Sequence, residues 1–452
     1  MNAIYLLLLF GIILFGLSYC LSGRDIMAPS VIMCAMFVIS TFFAIMNIKN
    51  WKIDYSLDSV LILVAGMVTF ILAEALFHGM QNKKIRRVRR ADQAEMHPVV
   101  IQKSLLIFAV IFDVLVLLWF YMEICRIVAG YGYTATGVGV FGRYRTIITS
   151  LTQRSDSKVA LTGMVLNQMI KLVHAMGYVS LYILLNNWFA GDKKKLPYIF
   201  HIILVLAHIF SYIMEGSRGN ILQIASAALI EWYILWHRKV GWHKVLTGKV
   251  VVVGVLCMLI GMPLFYSSLS WMGRATNKRL LRYIGFYVGG SIQLFDLYLK
   301  SNITKPKVFG EETLIGVLRF LNRLGFDLDI RNVNLDMIRL DELSRGNVYT
   351  FFRRPLHDFG FGGMLLFTVL VAWLFAWIYY GKIKWRDTKA TPYWIMLYGY
   401  LFYWIIMMSI DQYSHSYLSV TTVLQIVLMF LWYNFATRYK LTLKGKLHIL
   451  KR

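Results

Sequence analysis

The chain alternates long apolar runs with short polar connections. A helix of about 20 residues crosses the roughly 30 Å hydrocarbon layer of a bilayer, and many of the apolar runs reach that length. The pattern therefore predicts an all-α, polytopic membrane protein with about 11 transmembrane helices. The predicted spans are 3–21, 27–46, 57–78, 104–124, 161–189, 197–214, 220–237, 250–268, 359–381, 393–410 and 418–437.

One long polar segment interrupts this pattern late in the chain. Residues 1–268 hold predicted helices one to eight, residues 269–358 form a large loop, residues 359–437 hold the last three helices, and residues 438–452 are a basic tail. Within the loop, Leu314, Leu318 and Leu321 recur at helical spacing, which predicts an amphipathic helix. The apolar stretch from Leu280 to Leu299 is typical of either a surface helix or a re-entrant segment.

Composition excludes an ordinary soluble protein. Of the 452 residues, 58% are hydrophobic and only 16% are charged, too few to cover a water-facing surface. The net charge of +25 would suggest nucleic acid for a soluble chain, but here it bears first on membrane orientation.

Cys20, Cys34, Cys125 and Cys257 have unrelated spacings, which indicates neither a disulfide framework nor a metal site. Residues 1–20 lack a basic start and a small-residue cleavage pattern, so we interpret them as a retained span.

The basic residues predict which connections face the cytoplasm. Lys and Arg crowd into residues 79–103, 190–196, 238–249, 382–392 and 438–452, Arg24 lies in the first short connection, and short basic loops stay cytoplasmic. The remaining segments are then external, namely the N-terminus, 47–56, 125–160, 215–219, 269–358 and 411–417. The cytoplasmic segments hold 16 Lys and 9 Arg, whereas the external ones hold 15 Arg and 7 Lys. Since the planar guanidinium binds phosphate in a fixed geometry, the external face is suited to an anion, although ordinary solvated charge also fits.

The tetrapeptide Ser-Arg-Gly-Asn occurs twice outside, as residues 217–220 and 344–347. In both places glycine allows a close backbone approach, and a helix starting nearby would offer free N–H groups beside Arg218 or Arg345. The alternative is a plain turn followed by an arginine that reaches the membrane surface.

A richer group of polar residues lies where the chain re-enters the membrane. Arg353 and Arg354 precede His357 and Asp358 within six residues. Asp358 or His357 can accept a proton from a sugar hydroxyl while the arginines hold a diphosphate. Asp358 is alternatively the N-cap of the following span.

Charged residues inside the predicted spans are costly and usually functional. Glu74, Asp113, Lys171 and His174 are of this kind, and the last two lie one turn apart in the external half of their span. No nucleotide-binding glycine loop and no His or Cys metal motif occurs in the sequence. Since nucleotide sugars are absent outside the cell, a sugar donor used there would be linked to a lipid diphosphate.

Four short patterns follow one another through the loop and into the next predicted helix. They are Phe309-Gly310-Glu311-Glu312-Thr313, Phe320-Leu321-Asn322-Arg323-Leu324-Gly325, Gly346-Asn347-Val348-Tyr349-Thr350 and Asp358-Phe359-Gly360. With one large late loop in a polytopic chain, they make the sequence resemble the Wzy-type oligosaccharide repeat-unit polymerases, also called O-antigen polymerases. The resemblance covers most of the chain in architecture and residues 310–363 in residue pattern.

The resemblance implies a glycosyltransferase of the integral-membrane C-type fold in the bacterial cytoplasmic membrane, with its active site on the external face. Donor and acceptor would both be undecaprenyl-diphosphate-linked oligosaccharides, joined into an O-antigen, capsule or exopolysaccharide with release of undecaprenyl diphosphate. The reaction would be inverting and would use neither metal nor cofactor. Expected partners are the lipid bilayer, a chain-length regulator and a flippase, and no nucleic acid.

Residue roles follow from the same resemblance. Asp358 or His357 would be catalytic. Some members of the family carry Gly eleven residues after Arg, a spacing that Arg274 and Arg279 match with Gly285 and Gly290. The expected diphosphate ligands are Arg218, Arg345, Arg353, Arg354, Arg274 and Arg279. The expected cavity residues are Glu215, Lys171, His174, Asn347, Tyr349, Asp411 and His415.

Two alternatives stay open at this point. A ligase that transfers finished glycan to another acceptor would bind the same donor. A flippase of lipid-linked units belongs to a different class, and such transporters are expected to have two similar halves with broken helices at matching positions. The polar residues here collect in one late loop, which favours the enzyme.

Overall fold

The protein is a predominantly helical membrane protein. The computed structural model describes residues 2–85, 94–134, 139–154, 161–191, 195–244, 266–267, 280–301, 305–330, 335, 337–342, 344–444 and 446–451. Within these ranges, eight helices are long and apolar enough to cross a membrane. This confirms the prediction of a polytopic, membrane-embedded chain, while the predicted span 250–268 falls almost entirely outside the described residues.

The described helices and strands are numbered here in chain order. The helices are α1 Ile4–Leu21, α2 Pro29–Met46, α3 Leu57–Ile85, α4 Lys103–Gly130, α5 Gly139–Arg154, α6 Met164–Ala190, α7 Lys195–Met214, α8 Arg218–Val240, α9 Leu280–Lys300, α10 Ile315–Arg323, α11 Arg353–Ile378, α12 Thr391–Ile406, α13 Ser414–Tyr417 and α14 Val420–Arg438. The strands are β1 Ile338–Asp341, β2 Ser344–Gly346, β3 Tyr439–Lys444 and β4 Lys446–Lys451. A π-helical turn, Tyr379–Ile383, extends α11, and a 3-10 turn, Met407–Ser409, follows α12.

The chain divides into two compact units. The first comprises Met1–Ala91, Asn277–Thr391 and Leu401–Val420. The second comprises Asp92–Thr276, Pro392–Tyr400 and Thr421–Arg452. The pattern of apolar residues predicted most helices well, but α5 lies in a segment predicted as an external loop, and α12 ends at Ile406 instead of residue 410.

In the first unit, α9 packs closely on α2 because glycines remove the side chains between them. A Cβ on Gly289 would lie 2.6 Å from the backbone nitrogen of Ala44, and one on Gly285 would lie 2.7 Å from Asn47 Nδ2. Real Cβ atoms do not approach backbone this closely. The stretch from Leu280 to Leu299 is therefore a helix docked on α2.

A short hairpin lies on the other side of α9. Strands β1 and β2 pair antiparallel, with Arg339 opposite Arg345 and Ile338 opposite Gly346. Gly346 is buried, and a Cβ there would lie 2.8 Å from Leu294 Cδ1. The hairpin thus fixes one face on α9 and leaves Arg339 and Arg345 exposed on the opposite face.

Helix α11 begins six residues earlier than predicted. The expected span started at residue 359, but Arg353, Arg354, His357 and Asp358 already belong to the helix. Gly360 then breaks the helix with φ 67° and ψ −174°, values that L-residues with side chains rarely adopt. The apolar periodicity starts only near this break, because the first two turns of α11 are polar and contain a Pro at the third helical position.

Two buried acidic residues of the first unit have structural partners. Glu74 accepts hydrogen bonds from the backbone N–H of Ser30 at 2.6 Å and the hydroxyl of Tyr380 at 2.9 Å. Its carboxylate therefore sits at the N-terminus of α2, where negative charge is favourable. Asp25 binds Lys384 Nζ at 2.6 Å. Glu74 and Asp25 therefore both take part in contacts that hold the first unit together.

The second unit is built around a core between α4, α5 and α6. Phe120, Tyr144, Ile147, Leu166 and Ile170 are among its buried members. Helix α5 contributes because its apolar residues recur on one face, although too few of them are apolar to suggest a span. Glycine ends α6, where Gly191 has φ 75°. Asp113 on α4 is fully buried, and neither carboxylate oxygen has a hydrogen-bond partner within the described chain.

Candidate functional site

The first two turns of α11 present four polar side chains on two faces. Arg353 and His357 are four residues apart, as are Arg354 and Asp358, so each pair lies along one side of the helix. Both pairs contact residues 311–313, which precede α10. The four side chains form the centre of a buried polar cluster in the first unit, called here the α11 cluster.

On one face, Arg353 and His357 meet Glu312. Arg353 forms an ion pair with Glu312, and its guanidinium lies 4.5 Å from the ring centre of Tyr298 and 5.3 Å from that of Tyr349. His357 Nε2 lies 3.6 Å from Glu312 Oε1, and its Nδ1 lies 3.4 Å from the Tyr298 hydroxyl. Guanidinium groups are attracted to aromatic faces, so Arg353 is fixed by charge and by stacking together.

On the other face, Asp358 holds the backbone of the preceding segment. Its Oδ2 accepts hydrogen bonds from the N–H groups of Thr313 at 2.6 Å and Glu312 at 3.1 Å. Arg354 Nη1 donates to the carbonyl of Glu312 at 3.4 Å. The N-cap of α11 is Phe352, so Asp358 does not cap this helix. Asp358 instead ties the start of α11 to residues 312 and 313.

Asp411 completes the cluster from the loop after α12. Its Oδ1 lies 4.0 Å from Arg354 Nε and accepts a hydrogen bond from the backbone N–H of Gln412 at 2.8 Å. Burial raises the pKa of Asp411 above its usual range, and the nearby Arg354 lowers it by less. The side chain is 17% exposed, against 11% for Glu312. Asp411 is therefore a basic carboxylate at the more accessible edge of the cluster.

The cluster combines near-balanced charge with spare hydrogen-bond donors. Two guanidinium groups face the carboxylates of Glu312, Asp358 and Asp411. Among the described residues, Nε of Arg353 and Nε of Arg354 are buried without a hydrogen-bond partner. Buried donors without partners are unfavourable. An incoming anion could accept hydrogen bonds from these two N–H groups, while it competes with the carboxylates for the rest of each guanidinium.

The neighbouring loop is anchored to the same segment. Ser414 Oγ donates to the backbone carbonyl of Thr313 at 2.7 Å, and Gln412 contacts Ser414. His415 Nδ1 lies 2.5 Å from the carbonyl of Gln412. Since Asp411 is covalently part of this loop, its position relative to residues 312 and 313 is set by these contacts. His415 helps to hold the loop in its conformation through this contact with the Gln412 backbone.

Arg345 and Asn347 lie on the hairpin, and both are exposed. The register places the Arg345 side chain beside that of Arg339, which donates a hydrogen bond to the Asp341 carbonyl at 3.2 Å. Like charges directly opposite each other repel across strands. An anion bound at Arg345 would reduce this repulsion, so Arg339 is a second candidate ligand, which the sequence did not indicate.

Four predicted residues belong to the second unit. Glu215 and Arg218 flank the turn between α7 and α8, where Gly216 has φ 63° and packs against the stem of Arg145 from α5. Burial lowers the pKa of Arg145, and the nearby Glu215 raises it by less. Arg145, Glu215 and Arg218 therefore form a second charged group, which lies within the second unit.

Lys171 and His174 line the interior of the same unit. Lys171 Nζ donates to Gln168 Oε1 at 3.2 Å, and His174 Nε2 lies 2.8 Å from Ser211 Oγ. The His174 ring is buried beside His208 and Tyr212. Arg274 and Arg279, the remaining predicted diphosphate ligands, lie outside the described residues.

Sequence reasoning missed three members of these two groups. Glu312 was visible in the Glu311-Glu312 pair, but a carboxylate in a loop has no periodic pattern that distinguishes it. Tyr298 lies in an apolar stretch and Arg145 in a segment taken as loop. Within the described parts of the chain, no group of three or more His, Cys, Asp or Glu side chains is arranged to hold a metal ion.

Comparisons with known proteins give no match. No family model, no curated protein and no solved structure is similar to this chain.

Proposed function

We propose that this chain is a membrane glycosyltransferase that joins undecaprenyl-diphosphate-linked oligosaccharide repeat units into a surface polysaccharide. The reaction would take place at the external face of a bacterial cytoplasmic membrane. The observation that carries the proposal is the α11 cluster. In it Arg353 and Arg354 meet three carboxylates in the first two turns of α11, just before the helix break at Gly360. Such a site unites anion-binding and proton-accepting groups at the start of an apolar helix.

In this proposal Asp411 activates the acceptor. Its raised pKa and its position at the edge of the cluster suit a general base. The acceptor hydroxyl oxygen forms a bond to the anomeric carbon of the donor as its proton passes to the Asp411 carboxylate. The bond from that carbon to the diphosphate oxygen breaks at the same time, which inverts the anomeric centre.

Arg353 and Arg354 receive the leaving diphosphate. Negative charge grows on the bridging oxygen as the bond breaks, and forked guanidinium donors stabilise it more in the transition state than in the bound donor. Ring contacts with Tyr298 and Tyr349 hold Arg353 in place, so little reorganisation is needed. Arg345 with Arg339 on the hairpin of the same unit are proposed as further diphosphate ligands.

Asp358 and His357 act through other groups in this scheme. Asp358 is occupied by two backbone N–H groups and is assigned a positioning role. Both ring nitrogens of His357 face protein groups, Tyr298 and Glu312. His357 therefore orients Glu312 beside Arg353 instead of taking the acceptor proton.

One reconstitution separates the three candidate activities. Purified chain in lipid vesicles is given a synthetic undecaprenyl-diphosphate-linked repeat unit, and the products are resolved by size. A polymerase gives a ladder of lipid-linked glycans together with free undecaprenyl diphosphate. A ligase gives no ladder but caps an added acceptor once, and a flippase moves the unit across the vesicle without cutting it. Either of the latter results would overturn the proposal.

A further inference from the structure

Two ionisable side chains inside the second unit are fully buried. Both ring nitrogens of His208 on α7 and both carboxylate oxygens of Glu231 on α8 are without hydrogen-bond partners among the described residues. Each residue is 0% exposed. Polar groups inside a membrane bundle are expensive when unpaired and are usually retained for a function. The proposed glycosyl transfer uses neither residue.

The neighbouring helices leave space for these two side chains. Gly177 on α6 faces the imidazole of His208, and a Cβ there would overlap the ring. Gly399 on α12 faces Glu231, where a Cβ would lie 3.1 Å from the carboxyl carbon. Any larger residue would displace the imidazole or the carboxyl group. Helices α6 and α12 thus accommodate the two ionisable side chains by having glycine at the positions that face them.

A continuous set of polar rings links this interior to the start of α6. The His174 ring centre lies 4.4 Å from that of Tyr212 and 4.8 Å from that of His208. Tyr178 lies 4.8 Å from His208 and 5.2 Å from Tyr400. Lys171 is close enough to His174, and Glu231 to Tyr178, for their charges to interact. Because the His208 nitrogens and the Glu231 oxygens make no direct hydrogen bond among the described residues, proton transfer between these groups would pass through single bridging waters or small side-chain rotations.

We propose that His174, His208 and Glu231 form a proton relay that ends at Glu231. A proton enters beside Lys171, and each imidazole takes up a proton on one ring nitrogen and releases one from the other. The hydroxyl groups of Tyr178 and Tyr212 pass the proton in the same way. The net change is one new O–H bond on the Glu231 carboxylate and one hydronium ion consumed in the solvent.

The chemistry of the surrounding groups favours a proton over a metal cation. Among the described residues, the titratable groups that contact His208 are His174, Tyr178 and Tyr212. Glu231 lies close enough to Tyr178 for their charges to interact, and Tyr178 also contacts Tyr400. A sodium or calcium ion needs several oxygen ligands, whereas imidazole and phenol hydroxyl groups exchange protons readily. The single carboxylate is then the natural terminus.

Infrared spectroscopy on the full chain in lipid tests the relay. As the pH is stepped from alkaline to acidic, we expect a protonated-carboxyl C=O band that shifts in heavy water and is missing in Glu231→Gln. After a rapid pH jump, His208→Phe should slow the appearance of this band at least about tenfold. His174→Asn provides a second variant with the same expectation.

His201→Phe is the matched control. His201 lies on the same helix, is equally buried and is bonded to Ser180 at 3.2 Å outside the relay. We expect this variant to keep the wild-type rate. A Glu231 band that does not respond to pH, or one that forms as fast in His208→Phe and His174→Asn as in the wild type, would overturn the relay. A Glu231 band that does not respond to pH would be seen in the wild type alone, so this outcome does not depend on whether the His variants fold.

Discussion

The Asp358 carboxylate accepts a 2.6 Å hydrogen bond from the backbone N–H of Thr313, 45 residues earlier in the chain. A second bond, from the N–H of Glu312, reaches the same oxygen. Through these bonds α11 determines where Glu312 lies relative to Arg353 and His357. The α11 cluster therefore depends on a side-chain to backbone connection that no local sequence pattern contains.

Replacing Asp358 should destabilise the protein. Asp358→Ala leaves two buried N–H groups without an acceptor, which costs about 1–3 kcal/mol for each group, whereas Asp358→Asn keeps one acceptor oxygen. Thermal unfolding in detergent, followed by tryptophan fluorescence, should rank the wild type above Asp358→Asn and that variant above Asp358→Ala. Equal unfolding temperatures for all three would show that these hydrogen bonds do not stabilise the fold.

Gly289 and Gly290 give a second stability test with an internal control. Gly289→Ala places a methyl group 2.6 Å from the α2 backbone, which has to shift. Gly290→Ala approaches only side chains, the flexible end of Leu340 at 3.3 Å and the ring of Phe286 at an ordinary 3.6 Å. Overpacking against backbone costs about 1–3 kcal/mol, so Gly289→Ala should unfold at a clearly lower temperature than Gly290→Ala. The same loss in both variants would contradict the close packing of α9 on α2.

Asp296 predicts how the first unit responds to acid. Burial raises its pKa, but hydrogen bonds from Lys300, Ser56 and Ser59 lower it by more, so the pKa lies below its ordinary value. Its stabilising contribution is therefore present above the unfolded-state pKa of about 3.9 and is lost as the pH falls through the folded value. Unfolding temperatures measured against pH should fall more steeply in this acidic window for the wild type than for Asp296→Asn. Parallel curves would argue against this role.

The pH profile of polymerisation identifies the base. A general base must be deprotonated, so activity should rise as the pH passes through the pKa of Asp411, which burial raises above the usual range for aspartate. The acidic limb of kcat/KM should therefore disappear in Asp411→Asn along with most of the activity. Asp358→Asn should retain that limb at reduced rate. If the acidic limb of kcat/KM disappeared in Asp358→Asn and stayed in Asp411→Asn, Asp358 would be the general base, as the sequence first predicted.

The sequence predicted the helices well because spans of apolar residues are local signals. It also placed His357, Asp358, Arg353 and Arg354 together, because they lie within six residues of one another. It did not predict that they share one helix. It did not predict that Tyr298 and Glu312 would join them. Contacts between residues far apart in the chain depend on how α9 and residues 311–313 pack, and no periodicity encodes that packing.

The remaining differences have similar causes. The helix break at Gly360 and the early start of α11 depend on backbone angles that other residues rarely adopt. Strands β1 and β2 have four and three residues, and their hairpin packs on α9 through Gly346. Strands this short carry too little alternation to be recognised. Arg339 became a candidate ligand only once the register placed it opposite Arg345.

The central claim is that guanidinium groups of the α11 cluster hold the diphosphate during glycan transfer. The most direct test measures undecaprenyl diphosphate released from a lipid-linked repeat unit by purified Arg354→Lys, with Arg323→Lys as the control. Arg323 is exposed on α10, so the control makes the same charge-conserving replacement outside the site. We expect Arg354→Lys to unfold near the wild-type temperature and to release at least about 100-fold less, because lysine cannot form the forked contact. Release at the wild-type rate by Arg354→Lys would contradict the account.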